Sequence, residues 1–367
     1  MWLRALELQN FRNIETVALE LNAGFNFFFG LNGAGKTAIL EGVHLLGRGR
    51  SFRTQQIHEL IQTGKDGLVV RAVADDEHVG SQRLVFSRLR NGTTEIRING
   101  EPGRRMSQVA ILMPMEVMTP SMVELVFGGP VWRRQWLDWG VFHVKHDYLV
   151  LLRRYSATVR QRNACLKSVG LGKRRVSDLE PWNFEVARLG EMVTEARLEH
   201  LDGIRDAVVG CLRILSAELA VDIVYRRGWS ESAALANVLG ESLQREVKSG
   251  MTMAGPHRAD VEFRINGQLC SASLSRGQAK LLASALMLAQ ADHVRLSSRR
   301  SGMFLIDDIG AELDERHRRR FFEALVDRGM QVLATSVEPP NQDILGHCAE
   351  HALFHVERGR VIGTRKD

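Results

Sequence analysis

Apolar and polar residues alternate at the beginning of the chain, as they do in half-buried strands. LELQ and VALEL alternate in this way, and FNFFF is a short apolar run typical of a buried strand. The next segment, KTAILEGVHLLG, places apolar residues at Ile39, Leu40, Val43 and Leu46, which is helical spacing. We therefore expect a strand, a loop and then a helix that ends at Gly47.

Two later segments carry the pattern of a tight hairpin. EIRINGEP and VEFRINGQL each alternate into an Asn-Gly pair, at Asn99-Gly100 and Asn266-Gly267. Asn-Gly supplies the positive φ angles of a two-residue turn. We expect an antiparallel hairpin at each pair.

The pattern changes to helical between about Gly129 and Gly250. DYLVLLRRYSATVRQRNACLK predicts one long helix, and a second follows the turn VGLGKRRVSDLEP, from Trp182 to about Leu219. Pro181 suits the first helical position. A short turn between long helices predicts antiparallel neighbours.

These patterns predict an α/β fold that both ends of the chain build together. Residues 1–128 and 251–367 form the predicted α/β lobe, and residues 129–250 form an inserted helical lobe with the antiparallel helix pair. The chemical motifs should therefore divide between the two ends of the chain.

The composition is that of an ordinary soluble protein, with 44% apolar and 25% charged residues. No apolar run reaches the about 18 residues that a membrane span requires, so we expect no membrane association. The cysteines lie far apart without a CxxC pair, at Cys165, Cys211, Cys270 and Cys348. Their spacing argues against a structural zinc or a disulfide framework and favours a cytoplasmic protein.

The positive charge is concentrated in one segment. Residues 131–180 hold eleven Lys and Arg and four acids, an excess that exceeds the net charge of +6 of the whole chain. Such a run is often a solvated face, but its concentration favours a nucleic-acid surface. Lys173, Arg174 and Arg175, at the turn between the long helices, are the candidate DNA contacts.

The loop after FNFFF matches the phosphate-binding pattern G-x-x-x-x-G-K-[ST] in its diagnostic context of strand, loop and helix. Its glycines let backbone N–H groups turn toward phosphate oxygens, Lys36 supplies a charge for the terminal phosphates, and Thr37 offers a hydroxyl to Mg²⁺. The sequence thus predicts a nucleoside triphosphate site. Its residues are Gly30, Leu31, Asn32, Gly33, Ala34, Gly35, Lys36 and Thr37.

A second motif, MFLIDDIGAELD, is an apolar strand that ends in two acids. Asp307 stands where a strand end can hold Mg²⁺, and Asp308 can orient or deprotonate an attacking water. In isolation this pattern is also common for a strand followed by an acidic turn. The phosphate loop elsewhere in the chain favours the metal-binding interpretation.

A third motif, LSRGQAK, precedes the apolar run LLASALMLA. Taken alone it predicts a helix capped by Ser275, with free amides that attract an anion. The order of phosphate loop, helical insertion, LSRGQ and acid pair resembles the ATP-binding-cassette (ABC) ATPase heads of chromosome maintenance and double-strand-break repair. The blocks NFRNIETVALEL, GRSFRT, GGPVWRRQWLDW, AGPHRAD and LIDDIGAELDERHRRR resemble, more closely, the RecF family of bacterial recombination mediators.

The resemblance implies ATP and Mg²⁺ as cofactors and an ATP-dependent homodimer. In such heads each ATP lies between the phosphate loop of one subunit and the signature helix of the other. The signature residues that would contact the partner's ATP are Ser275, Arg276, Gly277 and Gln278. Asp314 would be the D-loop acid at the dimer seam, and Arg53 would reach the nucleotide of its own subunit unless it is a surface arginine.

The resemblance also implies a role at single-stranded and gapped DNA in recombinational repair and replication restart. The implied partners are the RecO and RecR proteins, with which such a protein helps to load RecA and supports the SOS response. His257 and Arg258 of AGPHRAD would lie near the nucleotide or the seam. The tryptophans Trp132, Trp136 and Trp139 have helical spacing and are expected in the core rather than stacked on bases.

Three departures from the usual cassette pattern predict slow hydrolysis, with ATP acting mainly as a dimerisation switch. Asp308 replaces the usual glutamate, and Thr335 and Ser336 stand where many heads have a histidine. The segment VAILMPMEV offers no glutamine for the metal.

Four alternatives stay open. One is an ABC-type ATPase subunit of another DNA-maintenance complex, and another is a transporter ATPase subunit, which the basic helical insertion disfavours. A relative with long coiled-coil arms would need a longer insertion and a CxxC hook. A P-loop kinase would have no use for LSRGQ.

Overall fold

The computed structural model describes residues 1–103, 105–216, 219–348 and 350–366. It divides into two compact units. Unit 1 comprises Met1–Met122, Cys211–Ala217 and Ser284–Asp367, and unit 2 comprises Val123–Gly210 and Glu218–Ala283. Residues 251–283, which we placed in the α/β lobe, thus belong to unit 2.

The strands lie mainly toward the two ends of the chain. They are β1 (Trp2–Phe11), β2 (Ile14–Glu20), β3 (Phe25–Phe29), β4 (Gly67–Asp76), β5 (Gly80–Leu89), β6 (Thr94–Ile98), β7 (Glu101–Pro102), β8 (Met115–Met118), β9 (Asp222–Arg226), β10 (Asp260–Ile265), β11 (Gln268–Leu269), β12 (Met303–Ile306), β13 (Gln331–Ser336), β14 (His351–Glu357) and β15 (Arg360–Lys366).

The longest helices lie in the middle of the chain and around the LSRGQ segment. The helices are α1 (Lys36–Arg48), α2 (Met106–Leu112), α3 (Glu124–Phe127), α4 (Pro130–Val144), α5 (Tyr148–Gly170), α6 (Glu180–Leu215), α7 (Leu235–Glu241), α8 (Leu243–Ser249), α9 (Cys270–Ser273), α10 (Arg276–Ser298), α11 (Ile309–Glu312), α12 (Glu315–Asp327) and α13 (Gln342–His347). Among the described residues, none of these helices combines the length and the apolar character needed to cross a bilayer.

Unit 1 contains two six-stranded sheets. One is antiparallel, in the order β2-β1-β4-β5-β6-β7, and the other has the order β15-β14-β3-β13-β12-β8. In the second sheet β14, β3, β13, β12 and β8 are parallel, and only β15 pairs antiparallel. The predicted FNFFF strand is confirmed as β3, at the centre of this sheet. Because parallel strands share a direction, the loops after β3, β12, β13 and β8 leave the sheet at one edge.

Helix α1 is packed between the two sheets of unit 1 and is buried along most of its length. A Cβ on Gly42 would lie 2.5 Å from Leu8 Cδ2 of β1, so glycine allows the helix to approach that sheet closely. The helix ends at Arg48, one residue beyond the predicted Gly47, and Gly49 caps it with φ +67° and an N–H bond to Leu45 O.

Unit 2 combines most of the long helices with the small antiparallel sheet β11-β10-β9. Buried ion pairs tie its elements together: Arg162 with Glu246 at 2.6 Å, and Arg197 with Asp138 at 2.8 Å. Cys165 and Leu166 of α5 pack on Leu179 before α6, which places the α5–α6 turn against the helix it follows.

The predicted elements of the insertion are confirmed as helices, with shifted ends. The second long helix begins at Glu180 rather than Trp182 and ends at Leu215, before the predicted Leu219. Both hairpins are confirmed, β6–β7 at Asn99 and β10–β11 at Asn266.

The tryptophan stripe on α4 is only partly core. Trp136 is 7% exposed and packs on Phe263, as predicted. The prediction is wrong for Trp132, which is 44% exposed because it lies in the first turn of the helix.

Candidate functional site

The phosphate loop leaves β3 and turns into α1 through three glycines with positive φ. Gly30, Gly33 and Gly35 have φ of +147°, +78° and +114°, values that side chains with a Cβ rarely adopt. At Gly30 a Cβ would lie 2.2 Å from Val356 O of β14, so the loop also needs glycine for space.

Lys36 is folded back over this loop. Its Nζ donates to Gly30 O at 2.5 Å and to Leu31 O at 2.9 Å. Burial lowers the pKa of Lys36, and the nearby Asp308 and Asp307 oppose this effect. An ammonium that only neutral carbonyls satisfy is suited to exchange them for phosphate oxygens.

Asp307 lies directly after β12 and joins the loop to the neighbouring strand. Thr37 Oγ1 donates to Asp307 Oδ1 at 2.8 Å, and Thr335 Oγ1 of β13 donates to the same oxygen at 3.0 Å. Thr335 also accepts from the backbone N–H of Asp308 at 2.8 Å, which fixes Asp308 with φ +63°. Thr335 thereby positions both acids.

The oxygens of Thr37 and Asp307 fit Mg²⁺. In nucleotide sites this ion takes one or two protein oxygens and completes its shell with phosphates and waters. Within the residues described, no group of three or more His, Cys, Asp or Glu side chains could hold a metal by itself. A magnesium site here would therefore need the nucleotide to complete it.

One buried acid, Glu41, positions two arginines, Arg12 and Arg53, at the same site. Glu41 of α1 is fully buried and accepts from Arg12 Nε at 3.0 Å and from Arg12 Nη2 at 2.8 Å. This bond raises the pKa of Arg12. Ser51 Oγ donates to Glu41 and accepts from the N–H of Arg53 at 2.8 Å, so Glu41 also anchors the GRSFRT loop.

One open cleft of about 1120 Å³ in unit 1 is lined by the two arginines and by Lys36, Thr37, Asp307, Asp308 and Thr335. The cleft brings together residues from the carboxyl edge of the parallel sheet and from the loops after β1 and α1. Of the residues singled out from the sequence, those that line the cleft are Asn32, Gly33, Gly35, Lys36, Thr37, Arg53, Asp307, Asp308, Thr335 and Ser336.

The sequence prediction missed Arg12 and Asn13, which also line the cleft. Asn13 Nδ2 donates to Gly33 O at 3.2 Å and so supports the phosphate loop. Arg12 has φ +53°, an unusual angle for arginine. The sequence signal for Arg12 is the acid Glu41 among the apolar residues of α1, because a buried carboxylate requires a cation, but this signal does not say which cation.

The predicted signature residues lie in unit 2 and are exposed. Ser275 Oγ accepts from the N–H of Gln278 at 3.3 Å, and Gln278 Oε1 accepts from the N–H of Ser275 at 3.0 Å. This reciprocal pair is a capping box that begins α10. Arg276 and Gly277 remain open to solvent in its first turn.

Asp314, the predicted D-loop acid, caps α12. Its carboxylate accepts from the N–H of His317 at 3.0 Å and contacts His317 Nδ1 at 2.6 Å. These bonds lower the pKa of Asp314. The acid is exposed in unit 1, and the cleft residues described above do not include it.

His257 lies inside unit 2. Its Nε2 donates to Thr252 O at 3.1 Å, so its Nδ1 accepts from Tyr155 Oη at 2.6 Å. Burial lowers the pKa of His257, and this favours the neutral ring that both bonds require. Arg258 beside it is exposed. The structure thus gives His257 a local packing role, and its predicted place near the nucleotide or seam stays a prediction.

A central parallel sheet that carries a phosphate loop and an acidic strand end at one edge, together with a long helical insertion, defines an ABC-type P-loop ATPase head. The family model described as RecF/RecN/SMC N terminal domain matches residues 2–350. Proteins called DNA replication and repair protein RecF are similar along the whole chain. That of Haemophilus ducreyi is 36% identical, and that of Shewanella sp. (strain MR-4) is 34% identical, each over 98% of this chain and 99% of the relative. The chain belongs to the RecF family.

Solved structures agree with this assignment. The structure of the recombination mediator protein RecF-ATP in the RecFOR pathway has a TM-score of 0.88 and 25% identity, covering 100% of this chain and 97% of that one. The Smc head bound to the C-winged helix domain of ScpA has a TM-score of 0.61, covering 100% of this chain and 98% of that one; at 14% identity it shows a shared fold alone.

Proposed function

We propose that this protein is an ATP-dependent DNA-binding protein of recombinational repair and replication restart. ATP binding would drive its dimerisation on single-stranded and gapped DNA, where it would act with RecO and RecR to load RecA and support the SOS response. The observation that carries the ATP part is the Thr37–Asp307 hydrogen bond beside Lys36, which joins the phosphate loop to the acidic strand end.

Binding would use the phosphate loop and the two arginines. The backbone N–H groups of residues 33–37 surround the phosphates, and Lys36 exchanges the carbonyls of Gly30 and Leu31 for phosphate oxygens. Arg12 and Arg53, held by Glu41, also line the cleft and add positive charge to it. The RecF structure with ATP supports this assignment of the nucleotide.

Thr37 and Asp307 would hold Mg²⁺, which supplies charge neutralisation to the phosphates when bound. Asp308 would orient the attacking water and accept its proton. Thr335 holds Asp307 and Asp308 in fixed positions relative to each other, because its hydroxyl donates to Asp307 and accepts from the N–H of Asp308. Aspartate reaches about one methylene less far than glutamate, so we propose slow hydrolysis, with ATP acting mainly as a dimerisation switch.

The second half of each ATP site would come from the partner subunit. Ser275, Arg276, Gly277 and Gln278 would contact the partner's ATP, and Asp314 would lie at the seam. Their exposure is compatible with a contact made by another subunit. The capping box supports a contact between Arg276 and the partner's ATP. It satisfies the side chains of Ser275 and Gln278 and leaves the cationic Arg276 free to face phosphates.

The DNA contacts that we propose from the sequence are Lys173, Arg174 and Arg175, which are exposed at the turn between α5 and α6. Arg174 Nη1 lies 3.9 Å from Cys165 Sγ, so part of this side chain is held near the helix. The RecF relatives named for DNA replication and repair, and the RecFOR structures, support DNA and the RecO and RecR proteins as partners.

The test is light scattering with and without ATP on gapped DNA. We expect the wild type to dimerise with ATP, Lys36→Arg to lose ATP-dependent dimerisation, and Ser275→Arg to bind ATP but stay monomeric. If neither ATP nor the Ser275 substitution changes the association state, the shared-site model is wrong. A turnover number comparable to that of transport ATPases would contradict the switch role.

RecR and RecO pull-downs separate this function from the alternative, an ABC-type ATPase subunit of another DNA-maintenance complex. We expect the ATP-bound dimer on gapped DNA to retain RecR. Dimerisation on DNA without RecR or RecO association would favour the alternative.

A further inference from the structure

Helix α5 carries a stripe of three cations at every seventh residue. Arg153, Arg160 and Lys167 share one side of the helix, because seven residues make almost two full turns, with an offset of about 20°. All three are exposed. At a rise of about 1.5 Å per residue, neighbouring charges are roughly 10.5 Å apart and the stripe is about 21 Å long.

Packing fixes the direction of this stripe. The opposite side of α5 buries Tyr155, Thr158, Val159 and Leu166 in unit 2. The stripe therefore cannot rotate away from solvent without exposing this apolar surface, and its three residues stay on the solvent side of the helix.

The stripe is unneutralised. Among the described residues, no carboxylate oxygen lies within 4.0 Å of Arg153, Arg160 or Lys167, although the neighbouring Arg154 is paired with Glu185 at 2.5 Å. Helix α5 contains no Asp or Glu at all. An exposed helix usually carries mixed charges, so a one-signed row with no acid indicates an anionic partner.

Helix α8 lies beside one end of the stripe. A Cβ on Gly250, which ends α8, would lie 2.7 Å from Lys167 Cγ, so the stem of Lys167 rests against this residue. Arg245 and Lys248 of α8 are exposed. Helix α8 therefore adds further exposed positive charge near this end of α5.

We propose that the phosphodiester backbone of duplex DNA lies along this stripe, which we call the α5 track. This inference rests on the proposed DNA-binding function and assigns it a surface. Measured along the axis of a B-form duplex, about 21 Å spans roughly six base-pair steps of about 3.4 Å each. Both tyrosines of α5 are buried, so the track offers no aromatic ring for the base stacking that single-strand binding uses.

The test is the triple variant R153Q/R160Q/K167Q in the full chain. Its affinity for a blunt duplex would be measured by fluorescence anisotropy with ATP, between about 50 and 200 mM salt. We expect at least a tenfold loss of affinity at the lowest salt. The slope of log K against log salt should become shallower by about 2.7, because each lost phosphate contact changes it by about 0.9.

A matched control removes three cations from the other long helix. R188Q/R205Q/R213Q changes the net charge by the same amount, but these exposed positions are unevenly spaced along α6, and Arg188 and Arg205 are already paired with Glu185 at 2.9 Å and Asp202 at 3.6 Å. We expect the control to keep the wild-type slope. Unchanged ATP affinity and thermal unfolding of both variants would show that each is folded.

The outcomes separate this proposal from the proposed function. If the wild type does not bind DNA, the function itself fails, and the α5 track with it. If the wild type binds and the track variant keeps its affinity and slope, the track is wrong while the function stands. Equal losses in the track and control variants would attribute the effect to net charge and overturn the track. A loss confined to a single-stranded oligonucleotide would overturn the duplex assignment.

Discussion

At the scale of single residues, Glu41 connects more of the candidate site than any motif residue does. It is the shared partner of Arg12 and, through Ser51, of the Arg53 loop, yet it does not itself line the cleft. Its effect on nucleotide would therefore pass through the two arginines, which makes it a positioning residue.

Glu41→Gln should weaken ATP binding by roughly tenfold, because a charge-assisted hydrogen bond contributes about 1.5 to 3 kcal/mol. The amide keeps the shape but not the charge that orients Arg12. Isothermal titration with ATP and with ADP measures the effect. Glu95→Gln, which breaks an exposed ion pair with Arg97, is the control. An ATP affinity unchanged by Glu41→Gln would contradict the positioning role.

Thr335→Val should impair magnesium-dependent ATP affinity, and hydrolysis more strongly. Valine keeps the volume but leaves the N–H of Asp308 without its acceptor, which costs about 1 to 3 kcal/mol where the group is buried. Thr335→Ser retains the hydroxyl and should restore both properties. The measurement is a magnesium titration of ATP binding with steady-state turnover. If the valine and serine variants have the same magnesium-dependent ATP affinity and turnover, the hydroxyl of Thr335 does not position the acids and the side chain contributes packing alone.

Sequence motifs predict most residues of the candidate site, but they do not predict Arg12. The phosphate loop and Asp307 were predictable because their chemistry is contiguous in sequence. Arg12 was not, because its role depends on Glu41, which lies on a different element and is brought near it only by sheet packing.

At the scale of elements, the beginnings of helices combine structural and candidate functional roles. Asp314 caps α12, and Ser275 caps α10, with hydrogen bonds that any helix would use. Neither cap by itself requires a partner subunit. Substitutions that keep the cap and change the charge can separate the two roles.

Asp314→Asn and Asp314→Ala make this separation at α12. Alanine should lower the free energy of unfolding by about 1 kcal/mol, because the cap to the N–H of His317 is lost, whereas asparagine caps nearly as well as aspartate. Chemical denaturation measures the difference. If Asp314 also acts at the dimer seam, asparagine should weaken ATP-dependent dimerisation while its stability stays near wild type. Normal dimerisation by the asparagine variant would limit Asp314 to capping.

Periodicity predicted the existence of the long helices well and their ends less well. The second long helix ends at Leu215 rather than Leu219, although the apolar spacing continues beyond it. Trp132 was mispredicted for a similar reason. The spacing of apolar residues predicts which side of a helix faces the core, but not how much of that side the neighbouring elements cover.

At the scale of the whole molecule, burial of histidines should make the protein sensitive to mild acid. Desolvation lowers the pKa of His44, His257 and His293 from the ordinary 6.5. The unfolded chain therefore binds more protons than the folded one once the pH falls below about 6.5. Stability is fully present above that pH and is lost as the pH falls through the folded-state values.

We expect the free energy of unfolding to fall between about pH 6.5 and 5, by at most about 1.4 kcal/mol per pH unit for each histidine. Urea denaturation across this range measures the slope. His257→Gln should reduce it, because glutamine does not titrate and can still donate to Thr252 O. A slope that His257→Gln leaves unchanged would show that this ring keeps its solution pKa.

The α/β fold with a helical insertion was predictable from the order of motifs, but the extent of each unit was not. Residues 251–283 carry a strand and a hairpin and therefore read as part of the α/β lobe, yet β10 pairs with β9 of the insertion. Long-range pairing of this kind leaves no mark in local periodicity.

The central sheet has a consequence for synthesis of the chain. Phe25 of β3 pairs with Val332 of β13 and with His351 of β14, so the strand that feeds the phosphate loop has no neighbour until nearly all of the chain has been made. At a synthesis rate of about 5 to 20 residues per second, roughly 15 to 60 s pass between the synthesis of β3 and that of its neighbouring strands. During that time FNFFF is an unpaired apolar edge on a growing chain, and it is the segment we expect chaperones of nascent polypeptides to cover.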